Sequence, residues 1–297
     1  MKPNIQFAEY FEIKSKDFDF FDIPLLKDKK AFICPFLIAN NRDVKLVDEV
    51  YNRITQFLTK LNRNYVMMGD RINGLDFLSH LHEANEYHLG YSGSNKGKAV
   101  SDFRAATIYD ALQNNKFAIQ GMSITNEAHN VLLLVKGIGQ DIMSDILANV
   151  CRDIFANYTK QICDKYSIDT YPFKIEYFDS STNNWQTKDC LLPMFNGKKI
   201  ILLPKKQVSG GRAYHSLYNW FVSANYIARD LLNFKLKDSL ESGLLHKLED
   251  GRIRAVVKKI NGAYRKPKQE LIDFVLRYNE SIDRFLNYSK DNYFEAS

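Results

Sequence analysis

The stretch "LVKGIGQDIMSDILANV" (134–150) decides how this chain is read, because it carries an apolar run into two glycines and then sets two aspartates four positions apart. The run it continues, "NVLLLV" at 130–135, has the length and content of a buried strand, with Gly137 and Gly139 ending it. A helix starting at Asp141 then puts Asp141 and Asp145 on one side, with Ser144 beside them. Strand, glycine turn and helix in this order are a common seat for an active-site loop in an α/β protein. Position 142 is Ile, so the third glycine of a dinucleotide fingerprint is missing, and the GK[ST] ending of a phosphate-binding loop is missing as well. The paired carboxylates point instead to a hard divalent cation, Mg²⁺ or Mn²⁺, held by one or two of them while water and substrate phosphate oxygens fill its other positions. Such an ion activates a water and stabilises the leaving oxygen in phosphodiester cleavage. The competing reading makes Asp141 an N-cap and lets Asp145 favour the positive helix end; it explains Asp141 well and Asp145 poorly.

Working outward, one helix is expected over 141–166, with Ile142, Ile146, Val150, Ile154, Phe155, Tyr158 and Ile162 on one face. "FKIEYFD" and "WQTKDCLLPMF", joined by the polar "SSTNN", predict a hairpin, and "KKIILLPKKQV" a further strand. On the N-terminal side, Pro24 and Pro35 favour extended or irregular chain over 18–45. Val47, Val50, Ile54, Phe57 and Leu61 then predict an amphipathic helix of about five turns. "GLDFLSHLHEANEYHL" and "AATIYDALQNNKFAI" predict two more helices, separated by the glycine-rich loop 90–103. After "SGGRAYH" the pattern is helical to the end. The expected fold is α/β in the mixed α+β sense: a mixed sheet core flanked by helices over 1–210, the catalytic part, and a helical basic region over 211–297.

With 45% hydrophobic residues among 297, the chain can bury a large core, and its longest apolar runs fall far short of the roughly 20 residues a membrane helix needs. The N-terminus lacks the apolar core and cleavage site of a secretory signal, so a cytoplasmic location without membrane attachment is expected. Cys34, Cys151, Cys163 and Cys190 are widely spaced, which predicts reduced, mostly buried thiols and no zinc site. A net charge of +6 favours a polyanionic partner mildly. Residues 246–269 carry eight Lys or Arg against two acids, which concentrates that charge. Arg252, Arg254, Lys258, Lys259, Arg265 and Lys266 are therefore candidates for contact with a nucleic-acid backbone, against the alternative of a solvated helix face.

Three further stretches carry candidate chemistry. "HLHEANEYHL" supplies Glu83 and Glu86 as carboxylate partners for the aspartates, with His82 and Glu86 sharing a helical face; an HExxH zinc site is excluded because the second His is absent. In the glycine loop, Lys96 and Lys98 could hold a phosphate together with backbone amides. "SDFRA" lacks the second acid that a nucleotidyltransferase needs after its Gly-Ser turn. Lys205 and Lys206 end an apolar strand and would steady a scissile phosphate, although the acid two positions earlier that completes a D/E-x-K signature is missing. A HEPN-type RNase is disfavoured, since no Arg in the helical part is followed by His at the needed spacing.

The blocks "DIPLLKDKKAFICPFLI", "GYSGSNKGK" and above all "GIGQDIMSDILANVCRDIFANYTKQICDKY", followed by "ILLPKKQV", resemble a group of uncharacterised bacterial proteins associated with mobile-element or phage-defence loci. The resemblance spans most of residues 20–210, and GIGxDxxSD is its most specific part. It implies a bacterial source and a defence effector, and it singles out Asp141, Ser144 and Asp145 without assigning them a role. The expected activity is a metal-dependent nuclease or phosphodiesterase, with Asp141 and Asp145 plus Glu83 or Glu86 holding the metal and Lys205 or Lys206 on the phosphate. Two rivals stand beside it: a nucleotide- or NAD-using toxin or transferase, and a non-enzymatic subunit that docks on nucleic acid or on a protein partner from the same defence locus.

Overall fold

The computed structural model describes residues 5–15, 17–90, 102–115, 117, 123–210, 213–234, 236–263, 274–278 and 280–292, and elements are numbered among these. The chain divides into two compact units, one formed by residues 1–211 with 294–297, the other by 212–293. No helix among the described residues is long and apolar enough to cross a membrane.

In the first unit a one-turn helix, α1 (Phe7–Tyr10), leads through irregular chain to the two-residue strand β1 (Phe32–Ile33) and to α2 (Pro35–Asn40). Pro35 occupies the first helical position, where a missing N–H costs nothing, so it starts a helix instead of keeping the chain extended. Helix α3 (Lys45–Lys60) follows its apolar spacing and buries Val47, Val50, Ile54, Phe57 and Leu58. A π-helical turn, Leu61–Val66, carries it on, and α4 (Arg71–Ser79) begins where the Asp70 carboxylate accepts the Asn73 amide at 3.2 Å. The helix expected to continue through "HLHEANEYHL" stops at Ser79; residues 80–84 are irregular, and only Asn85–Tyr87 make a 3₁₀ turn. His82 and Glu86 therefore share no helical face.

Next come α5 (Asp102–Gln113) and α6 (Ala128–Leu134). Helix α6 occupies the stretch expected to be a strand. All its residues are buried, and an element enclosed on every side shows no amphipathic period, so a short buried helix and a buried strand look alike in sequence. Its backbone is satisfied locally, Val131 N–H donating to the Glu127 carbonyl and Val135 N–H to the Val131 carbonyl, each at 3.0 Å. The turn after it depends on Gly137, at φ +98°, where an added Cβ would also come within 3.3 Å of Ala111. The long helix expected over 141–166 is two, α7 (Gln140–Val150) and α8 (Arg152–Tyr166), parted at Cys151 (φ −104°, ψ 19°).

The expected hairpin forms from β2 (Tyr171–Asp179) and β3 (Asn184–Leu192), paired in register from Tyr171 opposite Leu192 to Asp179 opposite Asn184. Its turn is tied by Asp179, whose carboxylate accepts from the amides and hydroxyls of Ser181 and Thr182 and is held at about pKa 2 by the Ser181 hydroxyl first. Strands β4 (Met194–Phe195) and β5 (Lys198–Lys199) make a second hairpin, and β6 (Val208–Ser209) pairs with β1. Ile200–Leu203 are buried yet irregular, because their amides go to separate partners: Ile200 to the Pro193 carbonyl, Ile201 to the Glu86 carbonyl and Leu202 to the Thr159 hydroxyl. The fold is thus α+β, and among the described residues its strands form four separate antiparallel pairs where one mixed sheet was expected.

Two features fasten the first unit. Phe57 lies 5.0 Å from Phe77 and 5.4 Å from Phe178, centroid to centroid, and the Trp185 indole donates to the Phe77 carbonyl at 2.8 Å. Full burial of each such apolar ring contributes about 2–3 kcal/mol. Nearby, Arg53 on α3 reaches Asp153 on α8 at 2.9 Å, both side chains being about nine-tenths buried. Cys34, Cys151 and Cys163 are buried, Cys190 is partly exposed, and none of the four forms a disulfide.

The second unit contains α9 (Ala213–Val222), α10 (Ala228–Phe234), α11 (Leu236–Glu241), the strands β7 (Leu245–Lys247) and β8 (Ile253–Ala255), α12 (Val257–Ala263) and α13 (Ser281–Asn292). Tyr218, Phe221 and Phe285 pack its core, with Tyr218 and Phe285 4.8 Å apart. The β7–β8 hairpin interrupts a region expected to be helical; its signal, Asp250-Gly251, is a turn dipeptide, with Gly251 at φ +82°.

Candidate acidic site

Helix α7 starts after Gly139, which has extended backbone and makes no side-chain cap, so Asp141 lies in the first turn and is not the N-cap. One turn on, Asp145 points the same way. Both line a cavity of about 160 Å³ together with Glu83, from the irregular segment after α4, and Asp28, which precedes β1. Arg104 of α5 lines it as well and donates to Asp145 Oδ2 at 2.5 Å. Four carboxylates from three distant stretches of chain therefore face one space, opposed by a single guanidinium among the lining residues.

A buried asparagine sets this arrangement. Asn149, one turn beyond Asp145 and wholly buried, accepts the His82 amide at 3.1 Å and donates to the His82 carbonyl at 2.6 Å and the Asp145 carbonyl at 2.7 Å. Its oxygen also accepts from Arg152 at 2.6 Å. These contacts clamp the segment before Glu83 onto α7, and they explain why the chain leaves helical geometry there: the His82 backbone is satisfied by a side chain instead of by its own helix. Ser144 lines the cavity too, but its hydroxyl accepts the Ile33 amide at 3.0 Å and fastens β1 to α7.

The electrostatics follow from crowding. Burial pushes the Asp145 carboxyl up to about 7, with Glu83 and Asp141 adding to the rise and Arg104 opposing it. Asp28 is pushed up to about 6 by burial and by Glu83, against Lys198. Oδ1 of Asp28 is buried without a hydrogen-bond partner among the described residues, the kind of orphaned acceptor that a proton, a water or a cation completes. Among the described residues no three His, Cys, Asp or Glu side chains stand already arranged as a metal cage. A Mg²⁺ ion needs less, since one or two carboxylates suffice when waters and phosphate oxygens fill its shell.

The other candidate residues lie elsewhere. Glu86 turns inward, its Oε1 2.8 Å from Arg152 Nε in a buried ion pair, and does not line the cavity. His80 contacts Glu176 at 2.8 Å and stacks on Trp185, with His82 3.8 Å from the same carboxylate. Lys205 and Lys206 line a different cavity that shares no residue with the acidic one; the strand expected to aim them at its rim is absent. Arg252, just before β8, Arg254 on β8, and Lys258 and Lys259 on α12 are exposed on the second unit, Arg252 being paired with Asp250 at 2.7 Å. Lys96, Lys98, Arg265 and Lys266 lie outside the described residues. Sequence reasoning missed Asp28, Arg104 and Asn149. Arg104 sits in "SDFRA", a stretch whose only local signal is its lack of a second acid, and neither Asp28 nor Asn149 has a local pattern around it.

No curated protein and no solved structure matches this chain. A family model described as a domain of unknown function (DUF8370) matches residues 11–215, nearly the whole first unit and well over half of the chain, which therefore belongs to that family.

Proposed function

We propose that the chain is a metal-dependent phosphodiester hydrolase, a nuclease, acting at the acidic cavity. The observation that carries this reading is the convergence of Glu83, Asp141 and Asp145, joined by Asp28, on one space. Burial and mutual repulsion raise two of their pKa values, and a divalent cation relieves that repulsion where protons otherwise must. Glu83, Asp141 and Asp145 would hold Mg²⁺ or Mn²⁺, with Asp28 Oδ1 as a further acceptor. The bound ion would supply an activated water and charge stabilisation on the leaving oxygen. Arg104, the one cation lining the cavity among the described residues, is placed to turn from Asp145 to a phosphate oxygen once the ion takes the carboxylate. Nucleic acid is the substrate class, with the exposed Arg252, Arg254, Lys258 and Lys259 offering sequence-independent backbone contact. The resemblance of the "GIGQDIMSD" block adds an antiphage effector role in a bacterial cytoplasm to this proposal.

The test is cleavage of single- and double-stranded DNA and RNA with Mg²⁺ or Mn²⁺, comparing the natural protein with Asp145→Asn and Glu83→Gln. Both variants should lose cleavage while remaining folded. Equal cleavage by Asp145→Asn, or no cation-induced thermal shift in the natural protein, defeats the reading.

A further inference from the structure

Lys205 and Lys206, which the acidic cavity does not use, line a second cavity of different character. Its volume is about 480 Å³, inside the range of roughly 300–1,000 Å³ typical of small-molecule sites. Val44, Leu46, Val47 and Pro204 give it apolar walls, and Asp17 and Asp19 lie at its polar side with the two lysines. Lys205 is steadied there by the Phe18 ring, 4.8 Å from its Nζ.

Two lining groups remain unexplained by the protein itself. Gln207 is wholly buried, and neither the nitrogen nor the oxygen of its carboxamide has a hydrogen-bond partner among the described residues. Tyr158 Oη is buried and equally without a partner among them. The Gln207 backbone is also held at both ends: its N–H donates to the Pro204 carbonyl at 3.1 Å, and its carbonyl accepts from Cys34 N–H at 2.8 Å. Leaving a buried amide unpaired is costly, and an apolar side chain of the same shape would remove that cost. The carboxamide makes physical sense at this position when something entering the cavity completes it.

We propose that this cavity binds a nucleoside phosphate, its base lying against the apolar walls with Gln207 and Tyr158 meeting the base edge. A carboxamide presents a donor and an acceptor side by side, the pattern a heterocyclic base edge complements. Lys205 and Lys206 suit the phosphate, and a carboxylate such as Asp17 or Asp19 suits ribose hydroxyls. The proposal stands apart from the hydrolase reading, since the two cavities share no residue.

Calorimetric titration of the full chain with AMP, GMP, CMP and UMP, and with adenosine, ribose 5-phosphate and inorganic phosphate as part-ligands, tests it. At least one mononucleotide should bind about tenfold or more tighter than ribose 5-phosphate. Gln207→Leu should abolish that preference while the unliganded protein melts at the same or a higher temperature. Lys205→Ala combined with Lys206→Ala should weaken nucleotide binding and leave adenosine binding intact, and Asp145→Asn should change neither. Mononucleotides binding no better than ribose 5-phosphate, or undiminished affinity in Gln207→Leu, overturns the proposal. Should Gln207→Leu fail to fold, Tyr158→Phe takes its place, and unchanged nucleotide affinity in that variant counts against the proposal in the same way.

Discussion

Replacing Asp145 by Asn should make the metal-free protein more stable above neutral pH, by an amount that depends on pH in a defined way. An ordinary aspartate titrates near 3.8 and Asp145 at about 7. The folded protein therefore keeps a proton that the unfolded chain has released, and stability falls as pH rises from about 4 to about 7 before levelling off. The rise in pKa corresponds to about 4 kcal/mol as a ceiling on the penalty above pH 7. Asparagine escapes this penalty, which is already net of the Arg104 contact because that guanidinium opposes the rise; both side chains are about a quarter exposed, so water reduces the figure. The net gain expected at pH 8 is about 2–4 kcal/mol, or several degrees in melting temperature. The pH dependence is the sharper signature. Between pH 5 and pH 8 the gap between variant and natural protein should widen by about 2–3 kcal/mol, while Asp28, whose shift comes from burial and Glu83, contributes alike to both proteins. Thermal unfolding followed by circular dichroism with a chelator at pH 5, 6, 7 and 8 measures it. A gap that stays constant over this range, or a variant less stable than the natural protein at pH 8, refutes the reasoning.

Mn²⁺ or Mg²⁺ affinity should increase from pH 6 to pH 8, because the ion competes with the protons on Asp145 and Asp28; calorimetry in two buffers of different ionisation heat would also register proton release. Asn149→Ala should lower stability by about 2–3 kcal/mol, since Arg152, His82 and the Asp145 carbonyl are deprived of a buried partner together. It should also abolish cleavage without touching the cavity, and denaturant unfolding alongside a nuclease assay separates the two effects. Reversing charge at Arg254, Lys258 and Lys259 should flatten the salt dependence of nucleic-acid binding, lowering the slope of log affinity against log salt by about one for each phosphate left without its cation, with the melting temperature nearly unchanged. An unaltered salt slope would return those residues to a solvated face.

What the sequence disclosed followed from surface exposure. Helix α3 and the β2–β3 hairpin are half-buried, so their apolar periods of 3.6 and 2 are visible, and the turn at Asp179 carries its own polar chemistry. Helix α6 is enclosed on all sides and has no such period, which makes a helix look like a strand. Ile200–Leu203 mislead for a related reason: an apolar run buried like a strand draws its hydrogen bonds from a carbonyl here and a hydroxyl there, a tertiary arrangement that no local pattern encodes. The site is partly legible. Asp141 and Asp145 share a helix, so their common direction follows from spacing alone, whereas the choice of Glu83 over Glu86 depends on Asn149 capturing the His82 backbone and on Arg152 capturing Glu86. Asp28 and Arg104 join through tertiary packing only.

The balance of charge in the interior distinguishes the acidic cavity from the rest of the chain. Where this fold buries ionic groups for structure it matches them: Arg53 takes Asp153 and the Phe178 carbonyl, while Arg152 takes Glu86, Asn149 and the Glu176 carbonyl. Matched pairs of this kind roughly break even against the cost of removing charge from water. At the cavity the same chain lines one space with four carboxylates and one arginine, with Lys198 acting on Asp28 from outside the lining, leaves Asp28 Oδ1 without a hydrogen-bond partner among the described residues, and tolerates two acids with raised pKa values. A fold able to neutralise its buried charges elsewhere gains no stability from this mismatch. On the proposed reading the excess negative charge is there to receive a cation, which would relieve Asp145 and Asp28 together.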